Sequence, residues 1–408
     1  MSIVSGNADR IKQINRSEVL KTIHKYSPIS KKAISTRIDL TFATVSNIVT
    51  ELLESNVIKS VGYGESSGGR KPLLYEINWN HIYVIAVDIG VTKITTALIN
   101  FRADIIYKHH HFYSNVSSST LIESVYQSID ELLAKCPNQA SKVMGIGVSA
   151  PGPINEGEIL SPPNMKDTNI KIQELLEERY QLFTILERDA NASAFAEQWF
   201  GNIVPNENIL YVFADQGIGG GLIVNGRIYK GFYNGAGEIG HTSIDVDGPR
   251  CSCGKYGCLE TMASGLSIIR RVKEEMRRGK SSSLETIFYE NEEALTLDII
   301  ASHAMNGDKL AQNIMEEAGR YLGIGVANAI NIFAPTKVIT GGEIVDLYPS
   351  IIPIVEKVAK AYSFSQFAHE INFTKSTFGN RSRLIGAASV IQHQLFEDPV
   401  NTMNKREG

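Results

Sequence analysis

The chain has 408 residues, 43% of them hydrophobic and 21% charged, and a formal net charge of -4 at pH 7. This length implies two or three domains; no stretch reaches the roughly 20 apolar residues of a membrane span, and the polar segment Met1 to Arg16 lacks the apolar core of a secretion signal, so the chain reads as cytoplasmic. The charge is uneven: residues 1–75 carry 11 Lys and Arg against 6 Asp and Glu, the remainder 29 against 38, a basic head on an acidic body, as expected when a phosphate-binding module is joined to one with another task.

Three helical patterns open the chain. Ile14, Val19, Leu20 and Ile23 share one face of a first helix that stops near Tyr26-Ser27-Pro28. Ser30 reads as the N-cap of a short second helix containing Ala33 and Ile34. Asp39-Leu40-Thr41 makes a turn, and Phe42 to Ser55 a third helix with Val45, Ile48, Val49, Leu52 and Leu53 on its buried stripe. Thr41, Thr44, Ser46, Asn47 and Thr50 are left facing outward, short polar groups of the kind that read base edges in a major groove. Lys31, Lys32 and Arg37 are placed for phosphates. From Ile58 to Ile77, strand-like ends flank Gly62-Tyr63-Gly64 and Ser67-Gly68-Gly69-Arg70-Lys71-Pro72, where Arg70 and Lys71 suit a minor groove. Residues 1–79 therefore read as a winged helix-turn-helix that binds DNA through Lys32, Thr41, Thr44, Ser46, Asn47, Arg70 and Lys71. The competing reading, a three-helix protein-interaction module, explains neither the basic balance nor the wing.

From Ile82 the texture changes to short apolar strands and helices. Strands are expected at Ile82 to Val87, Lys93 to Asn100, Ile105 to Phe112 and Val143 to Ser149, with helices at Leu121 to Lys135 and after Asp189; together they form a first α/β lobe, residues 80–200. Over residues 201–408 the pattern recurs. A strand from Asn208 to Phe213 ends at Asp215-Gln216-Gly217, Gly221 to Val224 returns, and a helix from Asp308 to Phe333 precedes Lys337 to Thr340 and Gly341-Gly342. Two similar lobes with a cleft between them would set glycine turns opposite one another around an anionic ligand. His109-His110-His111 on a strand alternates faces and cannot converge on a metal. The acidic, helical stretch around Glu285 to Glu293 reads as a solvated connector rather than a partner site, and Leu384 to Phe396 as an amphipathic tail packed on the body.

Three of the four cysteines cluster, and in a reduced compartment that points to metal rather than disulfides. His241 ahead of Cys251, Cys253 and Cys258 offers one imidazole and three thiolates, a closed tetrahedral set suited to structural Zn2+ with no position open for water.

Five motifs carry a family resemblance: Asp88-Ile89-Gly90-Val91-Thr92; Ala150-Pro151-Gly152-Pro153; Glu187-Arg188-Asp189-Ala190-Asn191-Ala192; Gly237-Glu238-Ile239-Gly240-His241; and Cys251-Ser252-Cys253-Gly254 followed by Gly257-Cys258 and Glu260. Over nearly its whole length the chain resembles ROK proteins (repressor, open reading frame, kinase). Within them it is similar to the DNA-binding repressors of sugar catabolism, with a motif order most like that of Gram-positive xylose repressors. The resemblance implies a two-lobed actin-like, ribonuclease H-like sugar-kinase body behind the winged head. It also implies a zinc that braces the loop carrying the sugar contacts. Its candidate sugar ligands are Asn164, Asp189, Glu238, His241 and Glu260, and Asp189 stands at the general-base position of the family kinases.

The chain departs from those kinases at three places. Val91 replaces the second glycine of their Asp-x-Gly-Gly-Thr turn, Asp215-Gln216-Gly217 replaces Gly-Thr-Gly, and Arg188 replaces the Asn before the catalytic Asp. A branched side chain and a carboxylate where phosphates must approach disfavour an ATP site. The expectation is a non-enzymatic, sugar-responsive repressor: a homodimer or tetramer on operator DNA, without a membrane partner, released by a small carbohydrate such as xylose. The alternative is a ROK sugar kinase, phosphorylating hexoses with ATP, that carries an appended DNA-binding head.

Overall fold

The computed structural model describes residues 7–65, 71–90, 93–113, 117–160, 169–201, 203 and 207–397. It opens with α1 (Asn7–Tyr26), β1 (Ile29–Ser30), α2 (Lys31–Ile38) and α3 (Phe42–Glu54), followed by β2 (Ile58–Tyr63) and β3 (Leu73–Ile77). Most of the apolar spacing of the three helices becomes a shared core, with Val19, Leu20, Ile23, Ile34, Val45, Ile48 and Leu52 all buried, whereas Ile14, expected on the same face of α1, is exposed a turn beyond that core. Leu53 is only half-buried, because it lies about 100° round the helix from Leu52 and reaches the edge of the stripe. Both later helices start on the expected caps. Ser30 Oγ accepts from the Ala33 amide at 3.2 Å, and Thr41 Oγ1 from the Thr44 amide at 3.2 Å. The strands form one antiparallel sheet in the order β1-β3-β2. The α1 residues Lys12 and Arg16 pair with Glu51 of α3 at 3.1 and 2.7 Å, tying the outer helices together.

The chain divides into two compact units, one of Met1–Gly152, Glu156–Glu187 and Ala387–Gly408, the other of Pro153–Asn155 and Arg188–Gly386. The first holds a five-stranded sheet of β4 (Tyr83–Ile89), β5 (Lys93–Asn100), β6 (Ile105–Phe112), β7 (Val143–Ala150) and β8 (Phe183–Arg188), ordered β6-β5-β4-β7-β8. The second holds β9 (Ile209–Ala214), β10 (Ile218–Val224), β11 (Arg227–Ile228), β12 (Lys337–Gly341) and β13 (Asn372–Lys375), ordered β11-β10-β9-β12-β13. In each, the first strand pairs antiparallel with the second and parallel with the fourth. A parallel return needs a crossover, supplied by α4 (Ser118–Lys135) in the first unit and, ahead of β12, by α7 (Lys309–Phe333) in the second. The recurrence read in the sequence is thus a duplicated α/β fold of the actin-like kind. Between these elements, α5 (Asp189–Phe200) follows β8, and the five-residue α6 (Leu259–Ala263) follows the cysteine cluster.

Burial alternates along β6, so the three consecutive histidines do point to opposite faces. The acidic stretch is helical over Glu285–Glu290, as expected, but it is not merely solvated: Phe288 is buried with Leu284 and Leu295 in the second unit's core, because apolar residues sit between the glutamates. The tail is α8 (Ser382–Glu397). At its end Phe396 meets the rings of His24 and Phe101, with centroids 5.1 and 6.2 Å away, and Lys21 of α1 reaches Glu397 at 2.5 Å. No described helix is long and apolar enough to cross a membrane.

Candidate functional site

On the head, α3 presents Thr41, Phe42, Ala43, Asn47 and Thr50 as exposed residues, with Thr44 and Ser46 half-buried. Several hydroxyls of this face are already engaged. Thr41 caps the helix and lies 2.8 Å from the Thr44 hydroxyl, Lys31 Nζ donates to Ser46 Oγ at 3.0 Å, and Thr50 donates to the Ser46 carbonyl at 2.9 Å. Lys31, placed for phosphate in the sequence reading, is thus turned inward onto Ser46 and the Tyr75 ring, 5.8 Å from its centroid. Lys32 and Lys71 are exposed. Arg70 lies outside the described residues. Phe42 was not singled out by sequence, although a large aromatic directly after a helix cap was the available signal.

In the second unit, a 3-10 turn at Ile239–His241 and the start of α6 bring His241, Cys251, Cys253 and Cys258 together, their ligand atoms all within 4.8 Å of one another. His241 Nδ1 is 3.6 Å from Cys251 Sγ, and Cys253 Sγ is 3.7 Å from Cys258 Sγ. A tetrahedral Zn2+ with bonds of about 2.3 Å to sulfur and 2.0 Å to nitrogen sets such atoms about 3.8 and 3.5 Å apart. The donor set and its spacing therefore fit a metal ion. Burial, then the neighbouring thiols, push Cys258 up to about 12, so three thiolates at this spacing need a cation among them. The loop closes on Gly257, at φ 61°, where a Cβ would fall 1.4 Å from the Asp245 carbonyl oxygen; only glycine is compatible with that approach.

Of the five candidate sugar ligands, Asp189, Glu238, His241 and Glu260 lie in this unit, and Asn164 lies outside the described residues. Asp189 begins α5, its Oδ1 accepting from the Ala190 amide at 2.7 Å. The residue before it organises the neighbourhood. Arg188, 3% exposed, donates to the carbonyls of Asn234 at 2.7 Å and Ala236 at 2.8 Å, and pairs with Glu238 Oε1 at 2.9 Å. One guanidinium thus fixes both the 234–236 backbone and the carboxylate at the head of the Glu238–His241 turn. Glu260 accepts from the Ile218 amide at 3.0 Å, and its Oε2 occupies the space above Gly217, 2.7 Å from where a Cβ would stand.

The turn at Asp215-Gln216-Gly217 is held by its own Asp215 and by side chains from elsewhere in the unit. Asp215 Oδ1 accepts from the Gln216 amide at 2.7 Å, and Oδ2 lies 3.6 Å from Arg383. Two amide donors of this turn, those of Gln216 and Ile218, therefore already serve carboxylates. In the other turn, Gly90 bonds Lys93 at 2.9 Å, and Val91 and Thr92 lie outside the described residues.

A duplicated α/β body with a cluster of one histidine and three cysteines, behind a basic helix-turn-helix head, defines the class of protein. The chain belongs to the ROK family, whose profile matches residues 84–394. It is 31% identical over 400 residues to the xylose repressor of Caldicellulosiruptor bescii, covering 97% of this chain and 99% of that one. It is 30% identical over 392 residues to the N-acetylglucosamine repressor of Escherichia coli O6:H1, covering 96% and 95%. Among solved structures, it is similar to a ROK family transcriptional regulator described as a homolog of the E. coli MLC protein, with a TM-score of 0.84 and 28% identity over 98% of this chain and 100% of that one. Family kinases share the fold alone, as in a Streptomyces griseus glucokinase at 23% identity, TM-score 0.67 and coverages of 76% and 98%.

Proposed function

We propose that the chain is a sugar-responsive transcriptional repressor whose residues 1–79 hold operator DNA and whose second unit binds a small carbohydrate that releases it. The observation that carries this reading is the pairing of an exposed polar α3 face with a kinase-like turn whose Gln216 and Ile218 amides are occupied by the carboxylates of Asp215 and Glu260. Near full-length similarity to proteins named as repressors supports it. Lys32, Thr41, Thr44, Ser46, Asn47, Arg70 and Lys71 would contact DNA, and Asn164, Asp189, Glu238, His241 and Glu260 the sugar. Zn2+ on His241 and the three cysteines would brace the turn that carries Glu238, in the reducing cytoplasm where thiolates persist. A homodimer would place two heads on two half-sites.

Sugar acts by binding the state with low DNA affinity better than the state with high affinity. Relatives named for a pentose and for an amino sugar stand within one percentage point of identity, so xylose is one member of the test panel rather than a foregone choice. A gel shift with duplex selected by the purified protein, titrated with xylose, glucose and N-acetylglucosamine, is expected to show loss of complex with one of them. Unchanged binding across a full panel of pentoses, hexoses and amino sugars would sink the sensor reading. The second reading, a kinase with a DNA-binding head, draws on Asp189 at the general-base position. The occupied Gln216 amide opposes it, and no ATP-dependent sugar phosphorylation is expected from the purified protein.

A further inference from the structure

The exposed line of α3 combines one hydrogen-bonding amide with an apolar end. Phe42, at the first position of the helix, is 57% exposed, and it has no ring partner among the described residues. Ala43 beside it is also exposed. The hydroxyls around them are largely spent on the cap, on Lys31 and on the helix backbone, which leaves Asn47 as an exposed polar side chain of α3 without a hydrogen-bond partner among the described residues. An unsupported phenyl ring at the leading end of this helix has no role in the head's own core, where Val45, Ile48, Val49 and Leu52 supply the α3 contacts. The major groove offers one apolar feature on its base edges, the 5-methyl of thymine, and the N-terminal end of a helix-turn-helix recognition helix is the part that meets those edges.

We propose that Phe42 packs against a thymine 5-methyl in each operator half-site and is a specificity-determining residue, with Asn47, about one and a half turns further on, as the hydrogen-bonding reader. The proposal rests on the reading of the head as a DNA-binding module and adds to it a base class and a chemical group.

The full-length protein first selects its preferred duplex from a random-sequence library. Each thymine of that duplex is then replaced singly by deoxyuridine, which removes the methyl and nothing else. At one thymine per half-site the wild type is expected to lose about fourfold in affinity, the worth of one buried methyl. F42A is expected to bind the parent duplex correspondingly more weakly and to be indifferent to that replacement. F42L, which keeps apolar bulk, should retain part of the sensitivity. Because the ring is exposed, F42A should show an unchanged circular dichroism spectrum and melting temperature. The proposal is overturned if no thymine shows methyl dependence, or if F42A and the wild type respond alike at every position. If selection enriches no sequence at all, the DNA-binding reading falls with it, an outcome distinct from enrichment without methyl dependence.

Discussion

Arg188 shows how much one side chain can decide. From a site with 3% exposure it bonds two carbonyls and a carboxylate. Arg188→Asn, which installs the residue of the family kinases, would strand the carbonyls of Asn234 and Ala236 and release Glu238. Removing one partner of a fully buried pair costs about 3–5 kcal/mol; with the Glu238 side chain 38% exposed, about 1–3 kcal/mol is expected once solvent screening is allowed for. Urea unfolding measures that loss, and the sugar concentration needed to release DNA should shift as well. Arg188→Lys should rescue less than half of the stability, since an ammonium cannot reproduce the fork. The sequence marks Arg188 as a departure and Glu238 as a ligand candidate. Their pairing was not legible, because nothing local links two residues so far apart along the chain.

His24 gives a second residue-scale prediction. Burial holds it down to about 4, from an ordinary value of 6.5, so the folded chain stays neutral where the unfolded chain takes up a proton. The stability it allows is therefore complete above pH 6.5, falls as pH drops toward 4, and levels off below, by at most about 3 kcal/mol. Melting temperature measured against pH should show this slope, and His24→Phe should flatten it. An unchanged slope in the variant would assign it to other groups.

Among the elements, those with strong local grammar were the legible ones. Helices α2 and α3 carry both an apolar stripe and a capping hydroxyl, and their limits agree with the sequence reading to within a residue or so. By contrast, Phe183–Arg188 lacks the clean alternation of a half-buried strand and takes its place from the sheet it joins. Helix α8 was legible as an amphipathic tail, but its close approach to α5 was not. At Gly386 a Cβ would fall 1.7 Å from the Ala192 carbonyl oxygen. Gly386→Ala must therefore push α8 and α5 apart, with an expected loss of about 2 kcal/mol or more, read as a lowered melting temperature. A variant as stable as the wild type would mean that the two helices slide without penalty.

For the whole molecule, the contrast of basic head and acidic body predicts separable failures. Lys32→Ala should weaken binding to all duplexes alike and reduce the salt dependence by about one counterion, whereas a base-reading residue would alter the ranking of sequences. Chelation, or Cys253→Ser, acts at the other end. Loss of the metal should lower the melting temperature by at least about 5 °C and abolish release by sugar, while the head keeps its affinity for DNA. Equal loss of both activities would instead indicate global unfolding. The cysteine spacing made this cluster legible, because metal ligation imposes a pattern close in sequence; the register of His241 against Cys251 came only with the fold.

The bond from the Gln216 amide to Asp215 Oδ1 bears on any attempt to engineer a phosphate site into this chain. Changing Val91 to Gly and Gln216 to Thr would match the first kinase turn and one further letter of the second, yet leave the Asp215 carboxylate seated on the backbone amide of residue 216. Position 215 would have to change as well, and that would also remove an anionic neighbour of Arg383. The self-occupied turn thus sets a test for anyone rebuilding a phosphate site on this fold: the donor at Gln216 is freed only when the carboxylate at 215 goes with it.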